Sequence, residues 1–289
     1  FCHYILIISY TLDRFMMKSI IFSLLMLFST AVISAPLSNT QLRDIIIESL
    51  TNKKYVDQHA KTIGLTGEKK KIIEEHYHEL AKTPEVINYI VEQLSQIGID
   101  DERMSANEVL LMVSNISTAL SLEGIRNATV QDKEQALANT IQIIKLLDYN
   151  DCAFYLFNNG SENADRAMIR RSKIQRRIWS KMSISDMRMQ YKFTRKMSIN
   201  GINHFASYVP MDETELNMAI LATRNSFDRR LTKYYPEDKY RLSQALANPY
   251  SATNIDACRA SIVFMESILD LSGKNKEYAL NMFFFRESR

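Results

Sequence analysis

Apolar residues recur at intervals of three and four along most of the chain, the spacing that lines one face of an α-helix. In residues 107–122, Val109, Leu110, Val113, Ile116, Leu120 and Leu122 keep mainly this period. Similar runs predict helical bodies near 40–51, 54–63, 67–82, 84–97, 106–123, 130–147, 151–158, 164–181, 184–208, 213–234, 237–247, 254–271 and 274–285. Some neighbouring runs are close enough to merge, which lowers the expected count to about ten. No stretch sustains the period-two alternation of a half-buried strand. The expected fold is all-α, a compact multi-helix bundle of about ten helices.

Punctuation supports this division. Pro84, Pro210, Pro236 and Pro249 fall at breaks, where a helix can begin, and Gly64, Gly98, Gly124 and Gly273 fall where runs end. Ser38-x-x-Gln41, Ser105-x-x-Glu108 and Asp212-x-x-Glu215 have the form of capping boxes. Thr83-Pro84-Glu85 reads as a cap, a first helical residue and a dipole-matched acid. Asn150-Asp151-Cys152-Ala153 and Ile255-Asp256-Ala257-Cys258 each place a cysteine near a helix start, which raises an internal duplication into two similar helical halves.

The N-terminal region changes the compartment expected. From Met16 or Met17 the chain has the three parts of a secretory signal: Lys18, the apolar run Ile20–Ile33, and small residues at Ser34 and Ala35. Residues 1–15 precede this start and are set aside as upstream translation; 16–35 are the expected signal peptide. Cleavage after Ser34 or Ala31 avoids placing Pro36 directly behind the scissile bond. The competing reading makes Tyr4–Leu12 and Ile20–Ile33 membrane segments, but both are shorter than the roughly 20 apolar residues a bilayer requires. The expected protein is periplasmic or secreted and not integral to the membrane once cleaved. In an oxidising compartment Cys152 and Cys258 form a natural pair; two buried free thiols are the alternative.

Charge divides the chain more sharply than its total of +3 suggests. Residues 36–160 form an acidic half with 12 Lys or Arg against 18 Asp or Glu, and residues 161–289 form a basic half with 22 against 14. The centre is 166–196, where Asp186 is the only acid among eleven cations. Apolar residues interleave at helical spacing: Met168, Ile174, Ile178 and Met182, then Met187, Tyr191, Thr194, Ile202, Phe205 and Val209. This is the pattern of a basic amphipathic helix pair. The candidate partner-binding residues are Arg170, Arg171, Lys173, Arg176, Arg177, Lys181, Arg188, Lys192, Arg195 and Lys196.

Three readings of these residues compete. The first is a packed helix whose charged face is solvated and partly paired with the acidic half. The second is a docking surface for an acidic protein. The third is attraction to an anionic envelope surface, for which Trp179 beside a basic face is suited. Export argues against nucleic acid, and no nucleic-acid motif accompanies the charge.

Candidate chemistry alters little. In Glu74-Glu75-His76-Tyr77-His78-Glu79, Glu75 and His78 have the spacing used by di-iron bundles, but no second Glu-x-x-His exists. Met182, Met187 and Met189 are soft copper ligands by type, and equally ordinary core filling. Glu48-Ser49 resembles the dipeptide bearing the acid of some lysozyme-like enzymes, without their other motifs. No catalytic, metal or cofactor site is therefore expected. The profile is that of an exported helical binding protein docking an acidic envelope partner, as an immunity or inhibitor protein does. The alternative is a helical enzyme acting on an envelope substrate, with Glu48, Glu75 or Glu79 as general acid.

Overall fold

The computed structural model describes residues 37–96, 105–157, 164–203 and 211–284. The expected signal peptide, and Phe205 and Val209 of the second apolar stripe, lie outside them. Among the described residues there are thirteen helices and no strand. In chain order they are α1 Asn39–Thr51, α2 Lys53–Thr62, α3 Gly67–Ala81, α4 Pro84–Gln96, α5 Ala106–Arg126, α6 Val130–Lys145, α7 Tyr149–Phe157, α8 Ala164–Lys181, α9 Ile184–Asn203, α10 Glu213–Tyr234, α11 Lys239–Ala247, α12 Asn254–Leu269 and α13 Gly273–Phe283.

The count exceeds about ten because very short joints hold as true breaks. Asn52 alone separates α1 from α2: its backbone N–H donates to the Glu48 carbonyl while its side chain accepts from Lys54 N–H at 3.1 Å. Ser183 parts α8 from α9 by accepting Asp186 N–H at 3.0 Å. All three expected capping boxes form, at Ser38/Gln41, Ser105/Glu108 and Asp212/Glu215. Thr129 and Thr253 add caps to α6 and α12. Thr83 behaves otherwise than expected: its hydroxyl donates back to the Glu79 carbonyl of α3 at 2.9 Å.

Contacts divide the chain into two compact units, each built from separated stretches. The first comprises α1–α5, the last turn of α8, and α9; the second comprises α6, α7, most of α8, and α10–α13. Each unit thus draws on both the 36–160 and the 161–289 halves.

The first unit is closed by α9 lying tightly on α5. Small residues make this approach possible. Ser117 and Gly124 of α5 face Ser198 and Gly201 of α9, and the Ser198 hydroxyl donates to the Ser117 carbonyl at 2.9 Å. Asn200 Nδ2 donates to the Gly124 carbonyl at 2.6 Å. A Cβ at Gly124 would stand 1.8 Å from the Met197 carbonyl oxygen, and one at Gly201 would stand 2.3 Å from that of Leu120. Gly124 therefore serves a helix crossing inside α5 rather than a helix end. Gly273 likewise differs from expectation: at φ 57° it opens α13 instead of ending the run before it. Among the described residues, Glu108–Arg126 is long and apolar enough to cross a membrane, with mean hydropathy 1.2, yet half of it is buried inside the fold, as in a core helix.

The second unit surrounds α12, whose Phe264, Met265, Val263 and Ile268 are buried among residues from α6, α7, α10, α11 and α13. Cys152 of α7 and Cys258 of α12 are joined by a disulfide with a Cα–Cα distance of 5.8 Å, and both are buried. The two similar cysteine segments consequently lie side by side in one unit. Each carries a buried aspartate in the first turn of its helix, Asp151 and Asp256, and each aspartate is held by an arginine, Arg177 and Arg241.

Candidate binding surface

The basic segment begins as α8, where apolar and charged residues sort to opposite sides as helical spacing requires. Ala167, Ile174 and Ile178 are buried. Arg166, Ile169, Lys173 and Arg176, three or four residues apart, are exposed, and Ile169 keeps 53 % of its surface in water. From Arg166 to Ser185 the sequence contains no acid.

Between these sides, long arginine side chains tether α8 to α7. The Arg170 guanidinium sits 4.2 Å over the Phe154 ring and donates to the Asn150 carbonyl at 3.2 Å. Arg177 bridges Asp148 at 3.2 Å and the buried Asp151. Arg171 is half-buried, and burial lowers its pKa from the usual arginine value. Among the described helices, α8 packs more sparsely by backbone than the other twelve. Its attachment therefore depends on side-chain reach as well as on the buried Ala167, Ile174 and Ile178.

The second part of the segment, α9, behaves differently. Arg188 approaches Glu75 at 3.6 Å. Arg195 lies 3.2 Å from Nδ1 of buried His76. A guanidinium only donates, so His76 accepts at Nδ1 and carries its proton on Nε2. Burial, and secondarily the Arg195 charge, pushes the His76 pKa from 6.5 down to about 3. Its ring stacks on Tyr191 at 4.2 Å, and Tyr191 stacks in turn on Trp179 at 5.2 Å. Burial drives the Tyr191 hydroxyl well above its ordinary pKa, with Tyr77 adding to the effect. The Trp179 ring is thus engaged in a stack, and its carbonyl accepts from Lys69 Nζ at 2.9 Å. The half-buried Trp179, which the anionic-surface reading placed beside a basic face, has its ring against Tyr191.

The ten candidate residues accordingly fall into groups. Arg170, Arg171 and Arg195 are partly buried; Arg177 and Arg188 are exposed but paired with acids. Lys173, Arg176, Lys181, Lys192 and Lys196 are exposed. Sequence periodicity did not single out Ile169, although an isoleucine three residues from Arg166 and four from Lys173 was a readable signal. Arg170–Arg177 belong to the second unit, and Lys181–Lys196 to the first.

Charge counts over the folded units differ from those of the sequence halves. Residues 36–127 and 179–207, of the first unit, contain 15 Lys or Arg and 15 Asp or Glu. Residues 128–178 and 208–289, of the second, contain 19 and 17. Bringing α9 to the acidic helices α1–α5 cancels the segregation seen along the chain.

Of the acids considered for catalysis, Glu48 lies on α1, and Glu75 and Glu79 lie four residues apart on α3. Glu48 is exposed, Glu75 meets Arg188, and Glu79 meets Lys82 at 3.2 Å. One surface hollow of about 480 Å³ is lined by Asn39, Thr40, Arg43, Asn88, Val91 and Glu92, and another of about 410 Å³ by Gly64, Thr66, Glu68, Lys69, Ser180 and Ile184. Neither includes Glu48, Glu75 or Glu79. Among the described residues no three His, Cys, Asp or Glu side chains group as metal ligands. His76 of the Glu74–Glu79 run is buried, whereas His78 is exposed. No protein-family model, curated protein or solved structure matches the chain.

Proposed function

We propose that this is an exported helical binding protein whose basic residues, centred on α8 and α9, dock an acidic protein of the cell envelope. The proposal is carried by exposed cations on each helix, Lys173 and Arg176 on α8 and, within the other unit, Lys192 on α9, whose side chains form no ion pair or hydrogen bond among the described residues. Some cations elsewhere are paired, as in Lys145–Glu266, Arg230–Asp270 and Lys276–Glu134, and the side chains of others such as Lys54, Lys71, Arg224 and Lys274 are exposed without a partner among the described residues. Helix α8 is set apart by the run from Arg166 to Ser185 without an acid. Exposed cations left without acids favour an oppositely charged partner, accelerating encounter and discriminating against basic surfaces. Export is supported by the buried Cys152–Cys258 bridge, a bond that persists in oxidising compartments. An inhibitor or immunity role fits a helical protein that presents exposed charge.

The test compares the full mature chain with a Lys173→Glu/Arg176→Glu/Lys192→Glu variant, each immobilised and exposed to an envelope extract. The expected result is an acidic protein retained by the parent chain at low salt, released as salt rises, and not retained by the variant. Equal retention by the two chains overturns the proposal.

A further inference from the structure

We infer that the outward stripe of α8 is a docking rail for an acidic α-helix, with Ile169 as its apolar register mark. This rests on the binding reading above and assigns it to one helix and one partner geometry. Arg166, Lys173 and Arg176 stand on one exposed side of α8, with Ile169 exposed between Arg166 and Lys173. None of the three cations has an acid or hydrogen-bond partner among the described residues. The neighbouring Arg170 and Arg177 are turned to α7 instead, where Phe154, Asn150, Asp148 and Asp151 occupy them. Their engagement separates anchoring arginines from presenting ones on the same helix.

The shape of the stripe selects the occupant. Cations seven and three residues apart, with Ile169 in the gap, lie on one side of the helix and match acids at the same intervals on a facing helix. At a rise of about 1.5 Å per residue, Arg166 to Arg176 spans roughly 15 Å, or about three helical turns. An exposed isoleucine in the row adds a small apolar contact that only an ordered partner can meet with a matching gap. A flat anionic membrane gains little from one narrow stripe, and Trp179 is stacked on Tyr191 rather than exposed for insertion.

The experiment uses the full mature chain and a synthetic alanine-based helical peptide carrying glutamates every three or four residues on one side. A scrambled peptide of identical composition and phosphatidylglycerol vesicles are the comparison probes. The striped peptide should bind more tightly than the scrambled one, and Lys173→Glu/Arg176→Glu should weaken it by about tenfold, the equivalent of one lost close charge pair. Ile169→Ser should narrow the preference for the striped peptide while leaving the scrambled one unchanged. Arg224→Glu/Arg229→Glu, on exposed residues of α10, should leave the affinity unchanged, while Arg188→Glu/Lys192→Glu on α9 serves as the competing arm. All variants change exposed side chains, and unaltered melting curves verify that each is folded. If the α9 variant loses binding and the α8 variant does not, the rail is overturned while a basic docking surface stands. If the scrambled peptide binds equally well, the helical partner is overturned. Binding to vesicles alone, or binding insensitive to every charge reversal, overturns both.

Discussion

The consecutive helices α8 and α9 carry similar charge but use it in opposite ways. Helix α9 lies against α5 through glycine and serine, and directs Arg188 and Arg195 to Glu75 and His76. Its cations help to balance the acidic helices beside it. Helix α8 is anchored by Arg170 and Arg177 and leaves Arg166, Lys173 and Arg176 in water. A basic run in a sequence can therefore be part compensation and part presentation. The burial and partners of each arginine tell the two apart.

The largest effect should come from breaking the α9 side. Gly124→Ala places a methyl group 1.8 Å from the Met197 carbonyl oxygen, so the helices must separate. Chemical denaturation should show a loss of about 3–4 kcal/mol, at or above the upper end of core overpacking because the clash is with backbone. A substitution that costs less than about 1 kcal/mol would show that the crossing is loose.

The corresponding break on the α8 side is the disulfide, which holds α7, the helix that α8 grips. Cys152→Ser/Cys258→Ser releases a constraint between residues separated by 106 positions. A loss of about 3 kcal/mol is expected from denaturation of oxidised parent and variant chains, within the usual range for such bonds. Hydrogen exchange should quicken in α7 and α8 before α5 and α9; the reverse order would detach α8 from the bridge.

A smaller, pH-dependent effect sharpens the contrast through His76. Its folded pKa of about 3 lies below the ordinary 6.5, so above pH 6.5 both folded and unfolded chains hold it neutral. As pH falls below 6.5, the unfolded chain takes up a proton that the buried ring refuses, and stability declines until pH reaches about 3. By about pH 4.5 this group alone should have removed about 2–3 kcal/mol. His76→Gln should cost stability at neutral pH through lost stacking on Tyr191, with the gap to the parent narrowing on acidification. Denaturation curves across that interval provide the check, and a constant gap would contradict the burial argument.

Much of the fold was legible in local chemistry. Ser38, Ser105 and Asp212 cap where their spacing to Gln41, Glu108 and Glu215 predicts, because a capping box is complete within four residues. The cysteine pair was legible because the export expected from the sequence makes a bridge the natural state of two cysteines. Gly124 was misread because glycine past a helix end is the local rule, while its actual role depends on Met197, far away in sequence. Charge was the harder case. The acidic and basic halves are plain in the sequence, but their cancellation within units follows from an interleaved path that no local pattern encodes. Among the candidate site residues, Lys173 and Arg177 look equivalent in sequence; Asp148 and Asp151 distinguish them only in three dimensions.

The interleaving also carries a consequence for the order of assembly. Ser117 and Ser198 meet across 81 positions, so the α5–α9 contact closes only after the intervening chain has been accommodated. Loop closure over that distance makes the first unit slower to complete than its short capped helices suggest. A fragment ending at Asn127 would retain five helices but lack the one that covers Gly124, leaving an unfilled serine- and glycine-lined furrow. A viable excision must bring Asn127 and Trp179 together through a new linker, making this unit a natural subject for chain rewiring rather than truncation.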